Sequence, residues 1–132
     1  MTLARTAANV RPINPWPGDV VNDVAYNGTI TAGQVVYHNG TGWQAAVLES
    51  GCDGKVMGIA LQGGSSGDTG KDVLLRGRVT GWTGLADGTA IYSAAAGEVD
   101  DQAHPQYAVL IGYSVGDTDI FFTGAMGAAH GS

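Results

Sequence analysis

Gly33-Gln34-Val35-Val36-Tyr37-His38-Asn39-Gly40-Thr41-Gly42 has a counterpart further along the chain, Gly88-Thr89-Ala90-Ile91-Tyr92-Ser93-Ala94-Ala95-Ala96-Gly97. Both stretches place Gly, a β-branched residue (Val36 or Ile91), Tyr and Gly at the same mutual spacing. Reading outward, Met57-Gly58-Ile59 is echoed by Ile111-Gly112-Tyr113, and Val73-Leu74-Leu75-Arg76-Gly77 by Ile120-Phe121-Phe122-Thr123-Gly124. The blocks keep their order, and no reactive group recurs in the two copies. A sequence that repeats its shape and not its chemistry predicts a structural or binding protein.

The runs between the glycines are short and rich in Val, Ile and Tyr, which suits strands. Asn27-Gly28, Asn39-Gly40, Thr41-Gly42 and Gly116-Asp117 mark turns, and Gly58 marks a bulge or a close backbone approach. Gln62 to Gly70 reads as a flexible Gly/Ser loop, and Ala94 to Ala96 is too short for a helix before Gly97. With 22 Gly in 132 residues and 44% hydrophobic residues, the chain is expected to be one all-β domain, a small barrel or sandwich. The expected organisation is an extended N-terminal arm at 1–17, a β domain at 18–124 with a degenerate internal repeat (about 33–77 and 88–124), and a flexible tail at 125–132.

The arm is set apart by composition. Pro12, Pro15 and Pro17 forbid a helix, and Leu3, Val10, Ile13 and Trp16 are apolar residues with no local core to join. Arg5 and Arg11 give residues 1–17 a charge of +2, whereas the rest sets Lys55, Lys71, Arg76 and Arg78 against 12 acids, for −8. An acidic body argues against a nucleic-acid partner, and a basic arm suits an acidic protein surface. No apolar stretch is long enough to cross a bilayer as a helix, and the start has no secretory pattern. The lone Cys52 rules out an intrachain disulfide and fits synthesis in a reducing cytoplasm.

Candidate chemistry is sparse, and neither a catalytic residue nor a cofactor or metal site is expected. Gly63 to Asp72 fails as a phosphate loop, because Ser65 stands where Gly is needed and Asp72 where a hydroxyl residue must hold magnesium. Asp100, Asp101 and His104 read as a solvated turn rather than a metal site. Cys52 beside Asp53 has its thiol disfavoured as a nucleophile. Lys71 stands near a turn, as the modified Lys of lipoyl and biotinyl carriers does, but in the wrong context, Gly70-Lys71-Asp72. Among the aromatics, Tyr37 and Tyr92 are expected in the core. Trp43 and Trp82 could stack on sugars, and Trp82, set between Thr80-Gly81 and Thr83-Gly84, is expected as an exposed interface anchor.

The runs Thr31 to Tyr37, Val56 to Ala60 and Val73 to Gly81, continued by Gly88 to Ser93, Val109 to Tyr113 and Ile120 to Phe122, resemble the head decoration (capsid cement) proteins of tailed bacteriophages. The resemblance covers about residues 18–124 and lies in the order of elements, with no single diagnostic motif. It implies a small β-barrel or β-tulip-like domain on the outer surface of the expanded capsid. There it would partner the major capsid protein, self-associate as a homotrimer and bridge neighbouring subunits, after synthesis in the bacterial host cytoplasm. It also implies an arm that ties the body to the shell, for which Leu3, Arg5, Val10, Arg11, Pro12, Ile13 and Trp16 are the candidates. On that expectation, removal of residues 1–14 abolishes shell binding and leaves the body folded. A head fibre, a tail adaptor and a carbohydrate-binding module are the alternatives.

Overall fold

The computed structural model describes residues 3–46, 55–94, 97–102 and 109–124. After a 3-10 turn at Ala7–Asn9 come the strands β1 (Arg11–Ile13), β2 (Val20–Val24), β3 (Val35–His38), β4 (Trp43–Ala45), β5 (Met57–Ala60) and β6 (Lys71–Leu74). They are followed by β7 (Gly77–Thr80), β8 (Ala90–Ser93), β9 (Val99–Asp100), β10 (Leu110–Val115) and β11 (Asp119–Phe122). No α-helix forms among the described residues, so the protein is all-β.

The strands form two antiparallel sheets. One has five strands in the order β2-β6-β5-β3-β4; the other has six, in the order β1-β7-β11-β10-β8-β9. Apart from β1, the second order is the first with every strand advanced by five. Matched residues also pair alike: Val36 faces Gly58 as Ile91 faces Gly112, and Ile59 faces Leu74 as Tyr113 faces Phe121. No ladder joins the two sheets, so they pack as layers and do not close into a barrel. The strand ladders stay within each sheet, and what joins the sheets is mainly side-chain burial.

Burial uses opposite faces of the two sheets. In the five-stranded sheet Val35, Tyr37, Met57, Ile59 and Leu74 point into the central core. In the six-stranded sheet the core is reached by Val79, Ile91, Val99, Ile111, Ile120 and Phe122. Tyr37 is thus internal, whereas its match Tyr92 is half-buried on the far side of its sheet. Likewise Ile59 and Leu74 are internal, and their matches Tyr113 and Phe121 lie outside. The layers are stacked front to back.

The back of the five-stranded sheet is covered by its own chain. Tyr26 and Ile30 fold across Val36, Trp43, Ala60 and Val73 in a second apolar cluster. Burial pushes the Tyr26 phenol up to about 12, although its O–H donates to the Gln62 carbonyl at 2.7 Å, and the nearby Asp72 charge raises it further. The glycine-rich loop is part of this cover: Ile30 and Gly64 exchange backbone hydrogen bonds at 2.9 Å, and Tyr26 N–H donates to Asp68. Trp43, proposed from sequence as a sugar platform, is buried here edge-on to His38.

Residues 3–13 do not stand off as an arm. β1 pairs with β7, Arg11 opposite Thr80 and Ile13 opposite Arg78. Leu3 N–H bonds Val99, Thr6 N–H bonds Gly81, and Val10 is buried in the central core. Arg5 passes beside Gly33, where a Cβ would stand 2.4 Å from its Cδ. Its guanidinium donates to the Ala32 carbonyl (2.8 Å), Thr31 (2.9 Å) and Glu98 (2.6 Å). Local sequence could not show these partners, because all of them lie far along the chain. The expectation that residues 1–14 can be removed from an intact body is therefore corrected. Their removal strips an edge strand, Val10 and the Arg5 clamp, and is expected to destabilise the fold by at least about 3 kcal/mol. Urea denaturation checks this, with the buried Trp43 turning to red-shifted emission.

Gly112 has a steric role. A Cβ there would meet the Phe121 carbonyl oxygen at 1.8 Å, a backbone atom that cannot swing aside. Gly112→Ala is expected to part β10 from β11 and cost about 3 kcal/mol or more, read as a lower denaturation midpoint.

Candidate functional site

The outer face of the six-stranded sheet carries the aromatic side chains Tyr92, Tyr113 and Phe121, none of which belongs to either apolar cluster. It is built by alternation: the residues between the core-facing ones must point out. From β1 across the sheet, one row runs Ile13, Arg78, Phe121, Tyr113 and Ala90. The rings of Tyr113 and Phe121 stack at 5.6 Å and 19°. Leu110 and Tyr113 are 55% and 45% exposed. A bulge between Leu110 and Gly112 turns Leu110 out while Ile111 stays in the core.

At the β1 end this face opens into a cleft of about 510 Å³, walled by Ile13 to Trp16 on one side and by Arg76, Arg78, Phe121 and Thr123 on the other. Trp16 is 77% exposed. Its position is set by a turn: Asp19 N–H donates to the Trp16 carbonyl, and Trp16 N–H donates to Asp19 Oδ2, both at 3.0 Å. The buried Asp19 also accepts from Arg76 Nε at 3.2 Å. Arg78 Nε donates to the equally buried Asp119.

Asp119 shows how the cleft is held. Burial would raise its pKa, but hydrogen bonds from Thr80, Arg78 and Thr118, together with the Arg78 charge, outweigh burial and hold the carboxyl below the usual 3.8. The ion is favoured in the fold, so its stabilisation is complete above the unfolded value and is lost as pH falls through the depressed one.

The residues expected to form a capsid-binding arm divide into two groups. Leu3, Arg5 and Val10 are engaged by the body, while Arg11 is exposed, Pro12 and Ile13 are half-buried on β1, and Trp16 is exposed at the cleft. Trp82, expected as an exposed anchor, is instead 1% exposed. Gly81 runs against Val10 there, so the N-terminal segment covers the indole, and the polar turn residues beside it gave no sign of this. Trp82 Nε1 finds no hydrogen-bond acceptor among the described residues. The outer-face residues Leu110, Tyr113 and Phe121 were not singled out from sequence as a site. Strict alternation would put Ile111 and Tyr113 on one face; the bulge between Leu110 and Gly112 separates them, and no local sequence signal marks it.

The other candidates are placed as follows. Lys71 opens β6, and its ammonium donates to the Gly63 carbonyl at 2.9 Å, so it is not presented at a free hairpin tip. Asp100 is buried in β9. Cys52, His104, His130 and the tail 125–132 lie outside the described residues. Among the described residues no group of three or more His, Cys, Asp or Glu side chains could hold a metal ion, and no helix is long and apolar enough to cross a membrane. No known protein-family model matches the chain, and no curated protein matches it.

Asp119→Asn is expected to lower stability at pH 7 by about 1–2 kcal/mol. The gap to the wild type should stay constant down to about pH 5 and close below 3.8. Urea denaturation at pH 7, 5 and 3 checks it.

Proposed function

We propose that this chain is a virion structural protein, a decoration or cement protein that binds the outer surface of an expanded tailed-phage head and bridges neighbouring capsid subunits. One observation supports this reading beyond the order of strands in the sequence. The outer face of the six-stranded sheet, with Tyr92, Tyr113 and Phe121, occupies the same register as the Tyr37, Ile59 and Leu74 face that forms the core. A surface with the layout of a core, and with no cover among the described residues, is suited to burial against a partner.

The docking surface on this reading is the outer face together with the exposed Arg11 and the half-buried Ile13 of β1, and not a free arm. The arm residues Leu3, Arg5 and Val10 act indirectly, by holding β1 on the sheet. The partner is the major capsid protein, with self-association as a homotrimer on the lattice. A stiff body with short turns suits a clamp, because little conformational entropy is lost on docking. Many copies on one shell convert modest contacts into large avidity. If the face binds only the expanded shell, occupancy stabilises that state by linkage.

The test is quantitative mass spectrometry of purified particles of the source virus. About one copy of this chain per major capsid protein is expected. A handful per particle would instead indicate a head fibre or tail adaptor, and absence from particles overturns the virion reading. Leu110→Asp with Tyr113→Asp is expected to lower shell occupancy at least tenfold without lowering the denaturation midpoint, because both side chains are exposed.

A further inference from the structure

We propose that the cleft at the β1 end of the outer face is a binding site for a neutral saccharide, with the Trp16 ring as the stacking platform. This inference does not depend on the capsid reading. It rests on four properties of the cleft.

Trp16 is the most exposed of the large apolar side chains that stand out from the surface, and it contributes nothing to either apolar cluster. Its backbone is nevertheless fixed, between Pro15 and Pro17 and by the two hydrogen bonds to Asp19. An exposed indole on a fixed backbone offers a flat face of the kind that the apolar C–H face of a pyranose ring packs against. Phe121 supplies a second apolar wall.

The polar groups are arranged for hydroxyls. Arg76 and Arg78 both line the cleft, and each is oriented by a buried carboxylate through Nε alone. Among the described residues their terminal nitrogens have no hydrogen-bond partner, which leaves planar arrays of donors for ligand oxygens. Asn14, on the Trp16 side, supplies an acceptor. A polyol needs donors and acceptors together, and the cleft offers both.

The charge of the cleft is tempered. Each arginine is paired through Nε with a buried carboxylate, Asp19 or Asp119, and the chain as a whole carries −6. A phosphate, a polyuronate or an acidic peptide would gain little there and would be repelled by the body. Finally, the volume, about 510 Å³, is in the range of small-ligand clefts, about 300–1,000 Å³. The platforms first suggested by sequence, Trp43 and Trp82, are both buried, so Trp16 is left for this role.

Saturation-transfer NMR on the full chain tests the proposal with four neutral hexasaccharides (malto-, cello-, manno- and chito-oligomers), a hexa-uronate and a ten-residue poly-Glu peptide. At least one neutral hexasaccharide is expected to bind with a dissociation constant below about 1 mM. Trp16→Ala is expected to weaken it at least tenfold, folding normally because this side chain is 77% exposed, and Arg76→Lys, which keeps a cation beside the buried Asp19, about threefold or more. The proposal is overturned if none of the four neutral oligomers receives saturation, if their binding survives Trp16→Ala, or if the hexa-uronate or the peptide binds more tightly than any of them.

Discussion

One guanidinium connects the parts of this molecule that sequence keeps apart. Arg5 donates to Thr31 and Ala32, at the entry to the five-stranded sheet, and to Glu98, 93 residues away at the edge of the six-stranded one. Its side chain is nearly buried, so these charge-assisted bonds form where water competes little. Holding Arg5 in place also delivers Val10 to the core, lays β1 along β7 and covers Trp82. Among the described residues no strand ladder crosses from one sheet to the other, so the layers associate through this polar clamp, the central apolar core and a backbone bond from Gly97 N–H to the Ala46 carbonyl.

The same strand order appears in both sheets, yet the matched residues do opposite work. Tyr37, Ile59 and Leu74 are core, and Tyr92, Tyr113 and Phe121 are surface. A front-to-back stack requires this, since the front of one layer meets the back of the next. It also accounts for the aromatic character of the outer face, which keeps the composition of a face meant for burial. Where the chain cannot supply a further layer, as it does with Tyr26 and Ile30 on the other side, the face is left to solvent.

Much of the β framework was legible in the sequence, because turns and strands are local. Asn-Gly and Gly-Asp dipeptides fell at chain reversals, Val/Ile runs formed strands, and Gly58 proved to be a close-approach point, with Val73 and Leu74 against it. Trp16 was legible as an apolar side chain without a core. What sequence missed was set by distant partners. The proline-containing segment looked detachable because its bonds go to Gly81, Val99 and Glu98. Trp82 looked exposed because its neighbours are Thr and Gly, whereas its cover is Val10. Alternation shows that a strand has two faces, and only packing decides which is inside; for that reason Tyr92 was expected in the core and stands outside it.

The stack has a direction. One end is sealed by the chain's own Tyr26–Ile30 crossing, and the other is open. A front-to-back contact repeated between molecules would propagate without limit, as heterologous contacts do, if both ends were available. Here the surface complementary to the open end is never presented, because in every copy it is already occupied internally. Proline at the centre of β1 removes a donor from that edge of the six-stranded sheet as well. The fold itself thus offers no front-to-back contact by which one molecule could stack on the next.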